Sequence, residues 1–159
     1  MRVFPDTNVL ASAFGTRGLC ADVLRLILAE HELATGEMVI DELRMVLSKK
    51  FRVPDETIEE IESFLRSYHV EPEPSELPKL KLSDRNDLAV VGSALASKAK
   101  VLVTGDREIL SLDHKPKGLR IVSPREFWTL ARDVKASGSG GESRTENAAF
   151  AQLPAAKTL

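Results

Sequence analysis

Four acidic residues stand in contexts where carboxylates can do chemistry: Asp6, Glu42, Asp87 and Asp106. Asp6 ends the short apolar run Val3-Phe4-Pro5 and opens Thr7-Asn8-Val9. Glu42 lies in Ile40-Asp41-Glu42-Leu43-Arg44, early in a helical pattern. Asp87, in Ser83-Asp84-Arg85-Asn86-Asp87, opens a nearly uncharged helical stretch, and Asp106 follows Val101-Leu102-Val103-Thr104-Gly105 at a second strand end. Hard divalent cations such as Mg²⁺ take oxygen ligands, usually a few carboxylates completed by water and substrate phosphate. Acids gathered without such a cation repel one another. One or two ions held among them orient a water, lower its pKa and stabilise the oxygen leaving a phosphodiester.

Each acid also has a purely structural role open to it. Asp84 suits an N-cap or loop position more readily than a ligand position. Asp87 would favour the positive end of its helix, and Asp106 would cap the turn Arg107-Glu108-Ile109-Leu110. Asp41 and Glu42 are adjacent and point differently, so periodicity leaves either on a solvent face. Asp6 has the least reason in packing. The three histidines, His31, His69 and His114, form no spaced metal pair. The single Cys20 opens the apolar stretch Cys20-Ala21-Asp22-Val23-Leu24 and reads as a small buried hydrophobe.

Short β-rich runs alternate with longer helical ones, and this alternation must position the acids. Strands are expected at Arg2-Val3-Phe4, Glu32-Leu33-Ala34-Thr35, Val101-Leu102-Val103-Thr104 and Ile121-Val122. Helical spacing covers Ala21 to His31, Met38 to Lys49, Pro54 to Tyr68 and Asn86 to Lys98. Val9 onward starts a loop or helix. Ser123, Pro124 and Glu126 make an N-cap, N1 and N3 signature for a last helix. The connection from Val70 to Lys81, with Pro72, Pro74 and Pro78, is expected on the surface after at most a short strand. Such alternation predicts an α/β fold with a parallel sheet covered on both faces. Ligands in these folds bind outside the carboxyl ends of the strands, where Asp6 and Asp106 fall.

A chain of 159 residues suits one domain, expected over 1–133. Residues 134–159, beginning with the Gly/Ser-rich Ala136-Ser137-Gly138-Ser139-Gly140-Gly141, read as a flexible linker and tail that is open to docking on this subunit or a neighbour. The lone cysteine excludes an intramolecular disulfide framework. The N-terminus has no apolar signal region, and no run of about 18 apolar residues offers a membrane span, so a cytoplasmic protein is expected. A net charge of −2 excludes an enveloping basic surface but leaves room for a basic rim that steers RNA toward an acidic pocket.

The ordered set Asp6-Thr-Asn-Val-Leu-Ala-Ser-Ala-Phe, Ile40-Asp-Glu42-Leu-Arg-Met-Val-Leu, Asp84-Arg-Asn-Asp87-Leu-Ala-Val-Val-Gly and Leu102-Val-Thr104-Gly-Asp106-Arg-Glu-Ile-Leu resembles the PIN-domain family. Within that family it is similar to the bacterial and archaeal toxin components related to VapC. The likeness spans roughly residues 2 to 131. It implies a three-layer fold with a parallel sheet of four to five strands, Mg²⁺- or Mn²⁺-dependent ribonuclease activity, a cognate antitoxin and a homodimer. Carried over by position, Asp6, Glu42, Asp87 and Asp106 form the catalytic and metal-binding set. Asn8 and Thr104 match its polar supports, and Asp84 matches an extra acid of the subgroup. Asp6 and Asp106 would hold the principal metal, with Asp87 direct or through water and Glu42 completing the cage or positioning the attacking water. Pro5 departs from the aliphatic residue usual before the first acid, and Gly36 stands where a helix-capping Ser is more common.

RNA-contact candidates are Arg17, Arg85, Arg107, Lys115 and Lys117, each also explicable as solvated surface. Two other functions compete. A metal-dependent phosphatase would use Asp6 as a nucleophile, but Asn8 replaces the second aspartate such enzymes carry. A non-catalytic RNA- or protein-binding PIN module would keep the fold without cleavage.

Overall fold

The computed structural model describes residues 1–137, with side chains through residue 133. Five strands, β1 (Arg2–Pro5), β2 (Glu32–Gly36), β3 (His69–Glu71), β4 (Val101–Val103) and β5 (Arg120–Val122), form one sheet in the order β3-β2-β1-β4-β5. Every adjacent pair is parallel. The helices are α1 (Thr7–Gly15), α2 (Leu19–Glu30), α3 (Glu37–Lys49), α4 (Asp55–Arg66), α5 (Arg85–Ala96), α6 (Arg107–Leu110) and α7 (Pro124–Ser137).

Right-handed crossovers fix the layers. The chain moves one way from β1 to β3 and the other way from β3 through β4 to β5, so α1 to α4 fall on one face and α5 and α6 on the opposite one. The packing agrees: α1 lies on α2 and α3, α3 on α4, α2 on α7, and α5 against β2 and β4. This is the expected three-layer α/β architecture. With both faces covered, the strands are apolar throughout, as in Val101-Leu102-Val103, all buried.

Two sequence departures acquire physical reasons. Pro5 is the last residue of β1 and pairs across with Val103. Donors alternate sides along a strand. Asp6 donates its N–H to the Val103 carbonyl at 2.8 Å, so the N–H that Pro5 lacks would have faced β2. The β1–β2 register runs only through Val3 and Leu33, so the missing donor falls past the paired positions. Gly36, the N-cap of α3, lies under α5: a Cβ there would meet Ser93 Oγ at 3.3 Å. Close packing of β2 on α5 takes the place of a capping side chain.

The short strand allowed before the proline-rich connection is β3, a three-residue parallel edge strand aligned Ala34 to His69 through Gly36 to Glu71 that makes the sheet five-stranded. In addition, α7 continues to Ser137, past the expected boundary at 133, and the remainder of the expected linker and tail lies outside the described residues. Ser123 Oγ accepts from Glu126 N at 3.1 Å, the N-cap bond foreseen. Ser123→Ala should therefore cost about 1 kcal/mol in urea unfolding. A variant indistinguishable from wild type would show that the docking of Phe127 in the core, not the cap, holds α7.

Candidate active site

The sheet reverses its strand order between β1 and β4, and their carboxyl ends open a crevice at that switch point. Asp6 follows β1 and Thr104 to Asp106 follow β4. Asp6 is buried, and both of its oxygens are engaged. Oδ1 accepts from Thr7 N at 2.6 Å and Oδ2 accepts from the Thr104 hydroxyl at 2.7 Å. Thr104, fully buried, in turn accepts from Asp106 N at 3.1 Å. One hydroxyl thus ties the acid after β1 to the acid after β4.

Glu42 reaches the same crevice from α3, where its Oε2 accepts from the Thr7 hydroxyl at 3.1 Å. Its neighbour Asp41 is exposed. Asp84 caps α5 by accepting from Asn86 N, and Asp106 caps α6 by accepting from Glu108 N and Ile109 N through Oδ1. The structural roles open to Asp84 and Asp106 are therefore both realised, and they coexist with the crevice. Asp87, one turn into α5, has no hydrogen-bond donor or cation partner among the described residues.

The acids sense one another. Burial raises the Asp6 carboxyl above its ordinary range against the pull of its Thr104 and Thr7 hydrogen bonds, and Asp106 adds to the rise. Burial also raises Glu42, opposed by the Thr7 hydroxyl and reinforced by Asp6 and Asp84. Asp87 is pushed up to about 6, first by burial and then by Asp106, Asp84, Asp6 and Glu108. Among the described residues no Lys or Arg forms an ion pair with Asp6, Glu42, Asp87 or Asp106. The crevice carries uncompensated negative charge.

This donor set, all carboxylate oxygen and short of positive charge, fits a hard divalent cation in its chemistry. As the side chains stand, no three His, Cys, Asp or Glu among the described residues are gathered into a metal-holding group. The acids share a field without closing a cage.

The remaining sequence candidates distribute unevenly. Asn8 is exposed at the start of α1 and, with Glu42 and Asn86, lines a cleft of about 670 Å³. Arg85 and Arg107 are exposed first residues of α5 and α6, beside the caps Asp84 and Asp106. Arg17 lies in the turn between α1 and α2, while Lys115 and Lys117 lie in the chain that returns to the opposite edge of the sheet before β5. Two residues escaped sequence reasoning. Thr7 serves two of the acids at once, and its position inside Asp6-Thr7-Asn8 was the available signal. Glu108 accepts from Ser83 N at 2.7 Å and Ser83 Oγ at 3.0 Å, clamping the start of α5 to α6, and nothing in the sequence announced it.

A pH dependence of stability follows. Asp87 holds its proton to about 6 in the folded chain and releases it near 3.8 when unfolded. Between roughly pH 4 and 6 the folded state binds the extra proton, so this group's contribution falls as pH rises through that window and is flat above it. Glu32 and Glu37, lowered by hydrogen bonds from Arg2 and Arg66, act in the opposite sense below their ordinary range. The difference between Asp87→Asn and wild type isolates the effect. With excess chelator, the melting temperature of the variant should gain on wild type from pH 4.5 to 7. A variant whose melting temperature falls further behind wild type as pH rises would contradict the crowding of these acids.

The family model described as "PIN domain" matches residues 2–108. The chain belongs to the PIN-domain family. Among solved structures, it is similar to a chain in the crystal structure of VapBC2 from Rickettsia felis bound to a DNA fragment from their promoter. The two are 19% identical with a TM-score of 0.56, covering 77% of this chain and 98% of that one, which is a likeness of fold. No curated protein matches. Among the described residues, no helix is long and apolar enough to cross a membrane.

Proposed function

We propose that this PIN-domain protein is a divalent-metal-dependent endoribonuclease, the toxin of a toxin–antitoxin pair, acting in the cytoplasm. The observation that carries this reading is the crevice itself: carboxylates that follow β1 and β4 and rise from α3 and α5, with no Lys or Arg ion-paired to them among the described residues. Family membership supports a nuclease. The fold shared with a chain of a VapBC complex supports an antitoxin partner, and a homodimer remains part of the proposal.

Asp6, Asp87, Asp106 and Glu42 would hold Mg²⁺ or Mn²⁺, which when bound supplies water activation and neutralises charge on the phosphate. The chain's own part is positioning. Thr7 N and the Thr104 hydroxyl fix the plane of the Asp6 carboxylate, so its charge is aimed before substrate arrives. The Thr7 hydroxyl holds Glu42 Oε2 and leaves Oε1 free to orient a water. Asp87, pushed up to about 6 by burial and by the neighbouring acids when no cation balances them, gains most in ionisation when a cation binds among them. The water oxygen bonds to phosphorus as the bond to the 3′ oxygen breaks, giving a 5′-phosphate and a 3′-hydroxyl.

The phosphatase reading fares worse. Asn8 stands where such enzymes carry a second aspartate, which removes the acid that would serve a nucleophilic Asp6. Purified protein freed of partners should cut a mixed RNA pool with Mn²⁺ and leave a small phosphomonoester intact. Turnover of the monoester but not RNA would reverse the assignment. RNA retention without cleavage, insensitive to metal, would favour the non-catalytic module. Light scattering that gives a monomer at high concentration would remove the homodimer.

A further inference from the structure

A second cleft, of about 580 Å³, opens beside α6, within the 300–1,000 Å³ range of ligand sites. One wall is the segment Lys79-Leu80-Lys81, and the other is α6 with its following turn, from Arg107 to His114. It begins one residue past Asp106. We propose that this cleft grips the phosphate backbone of a single RNA strand on one side of the scissile bond, through Lys79, Lys81 and Arg107. The inference rests on the ribonuclease reading of the acidic crevice and assigns the path of its substrate.

The lysine wall is built rather than incidental. Pro74 and Pro78 pack on α5 at Gly92, where a Cβ would meet Pro78 Cδ at 3.2 Å and Pro74 Cγ at 3.5 Å. Leu80 N then bonds to the Pro78 carbonyl at 3.1 Å and Leu82 N to the Leu80 carbonyl at 3.0 Å, two successive three-residue turns. Side chains alternate along this stretch: Leu80 is half-buried and Leu82 buried, while Lys79 and Lys81 are exposed. Two ammonium groups are thereby presented by a segment anchored through its leucines and prolines.

The charges that line the cleft favour an anion. Arg2, Arg44 and Arg66 are each matched to an acid, Glu32, Glu62 and the pair Glu37 and Glu62 respectively. Among the described residues, Lys79, Lys81 and Arg107 form no ion pair. Among those same residues, the three cations outnumber the two acids of the lining, Asp113 and Glu108, and Ser83 holds both Glu108 oxygens in place. An RNA strand bent around the acids at the switch point meets positive charge immediately beyond Asp106. Lys115 and Lys117, singled out by the sequence, do not line this cleft. Phosphate contacts of this kind position the strand without reading its sequence.

The test compares the full chain carrying Lys79→Gln, Lys81→Gln and Arg107→Gln with a charge-matched control, Lys98→Gln, Lys100→Gln and Arg120→Gln, whose residues lie at the opposite edge of the sheet. Binding of a fluorescein-labelled 12-nucleotide mixed-sequence RNA is followed by anisotropy in excess chelator over a series of KCl concentrations. Each lost phosphate contact reduces the slope of log K against log salt by about 0.7, so the triple variant should lose about 2 from the slope and bind roughly 10- to 100-fold more weakly at low salt. The double variant at Lys79 and Lys81 should lose about two thirds of that slope change. Under Mg²⁺, KM should rise with kcat nearly unchanged. Circular dichroism and thermal melting confirm that each variant is folded. If wild type binds and cuts RNA while the triple variant matches the control in slope and KM, the cleft assignment is overturned and the nuclease reading stands. If wild type neither binds nor cuts RNA, both fall, and a cleft that binds only an acidic protein segment becomes the surviving alternative.

Discussion

Asp6→Asn should lower RNA cleavage by at least about a hundredfold, the scale on which loss of one preorganised electrostatic contact acts on a transition state. It should do so without unfolding the protein. Asparagine keeps the size of the side chain and an oxygen that can accept from Thr7 N. It loses the negative charge that the crevice would direct at a cation. The stability terms oppose each other. The Thr104 hydroxyl, which already accepts from Asp106 N, loses an acceptor for its own proton. Against that, a charge whose ionisation is disfavoured by burial and by Asp106 is removed. The melting temperature at neutral pH in chelator should therefore change little. If Asp6 were merely an N-cap in a local network, the pattern would invert, with stability falling and cleavage largely kept.

Thr104→Val should cost about 1 to 3 kcal/mol at neutral pH, because a buried carboxylate and the Asp106 N–H both lose their partner. The loss should depend on pH. The Thr104 bond favours the ionised form of Asp6, so removing it raises that carboxyl further. Urea unfolding should consequently show a larger deficit at pH 7.5 than at pH 4.5, because the lost bond favoured the ionised form. Thr104→Ser restores the hydroxyl and should recover most of the stability and activity. An equal deficit at both pH values would mean that lost packing, not the hydrogen bond to Asp6, is what the valine variant reports.

The parts legible in the sequence were those with a physical signature in a single segment. Periodicity gave α2 through α5. The β-branched run at Val101 gave β4, and Ser123-Pro124-Arg125-Glu126 gave the start of α7 to the residue. The acids were legible as strand-end and helix-start residues because the switch-point rule says where such residues meet. What stayed hidden depended on pairing across the fold. The sequence leaves β3 open as a short strand, but its parallel partner β2 and its place at the sheet's edge are set by pairing, not by its own three residues. Glu108 acquires a role only because Ser83 is folded against it, 25 positions away in sequence. The second cleft likewise comes from proline packing on Gly92, which no local pattern encodes. Conversely, Pro5, which departs from the usual aliphatic residue, is accommodated because its missing donor faces past the last paired position with β2.

The ribonuclease assignment stands or falls most directly on the metal dependence and chemistry of cleavage by the wild-type chain. Protein stripped of partners and metal should leave a 5′-labelled RNA intact in chelator and cut it on addition of Mn²⁺ or Mg²⁺. The new ends should be 5′-phosphate and 3′-hydroxyl, identified by their response to phosphatase and to ligation. Cleavage that persists in chelator, or that leaves a 2′,3′-cyclic phosphate, would contradict water attack at an acidic metal site.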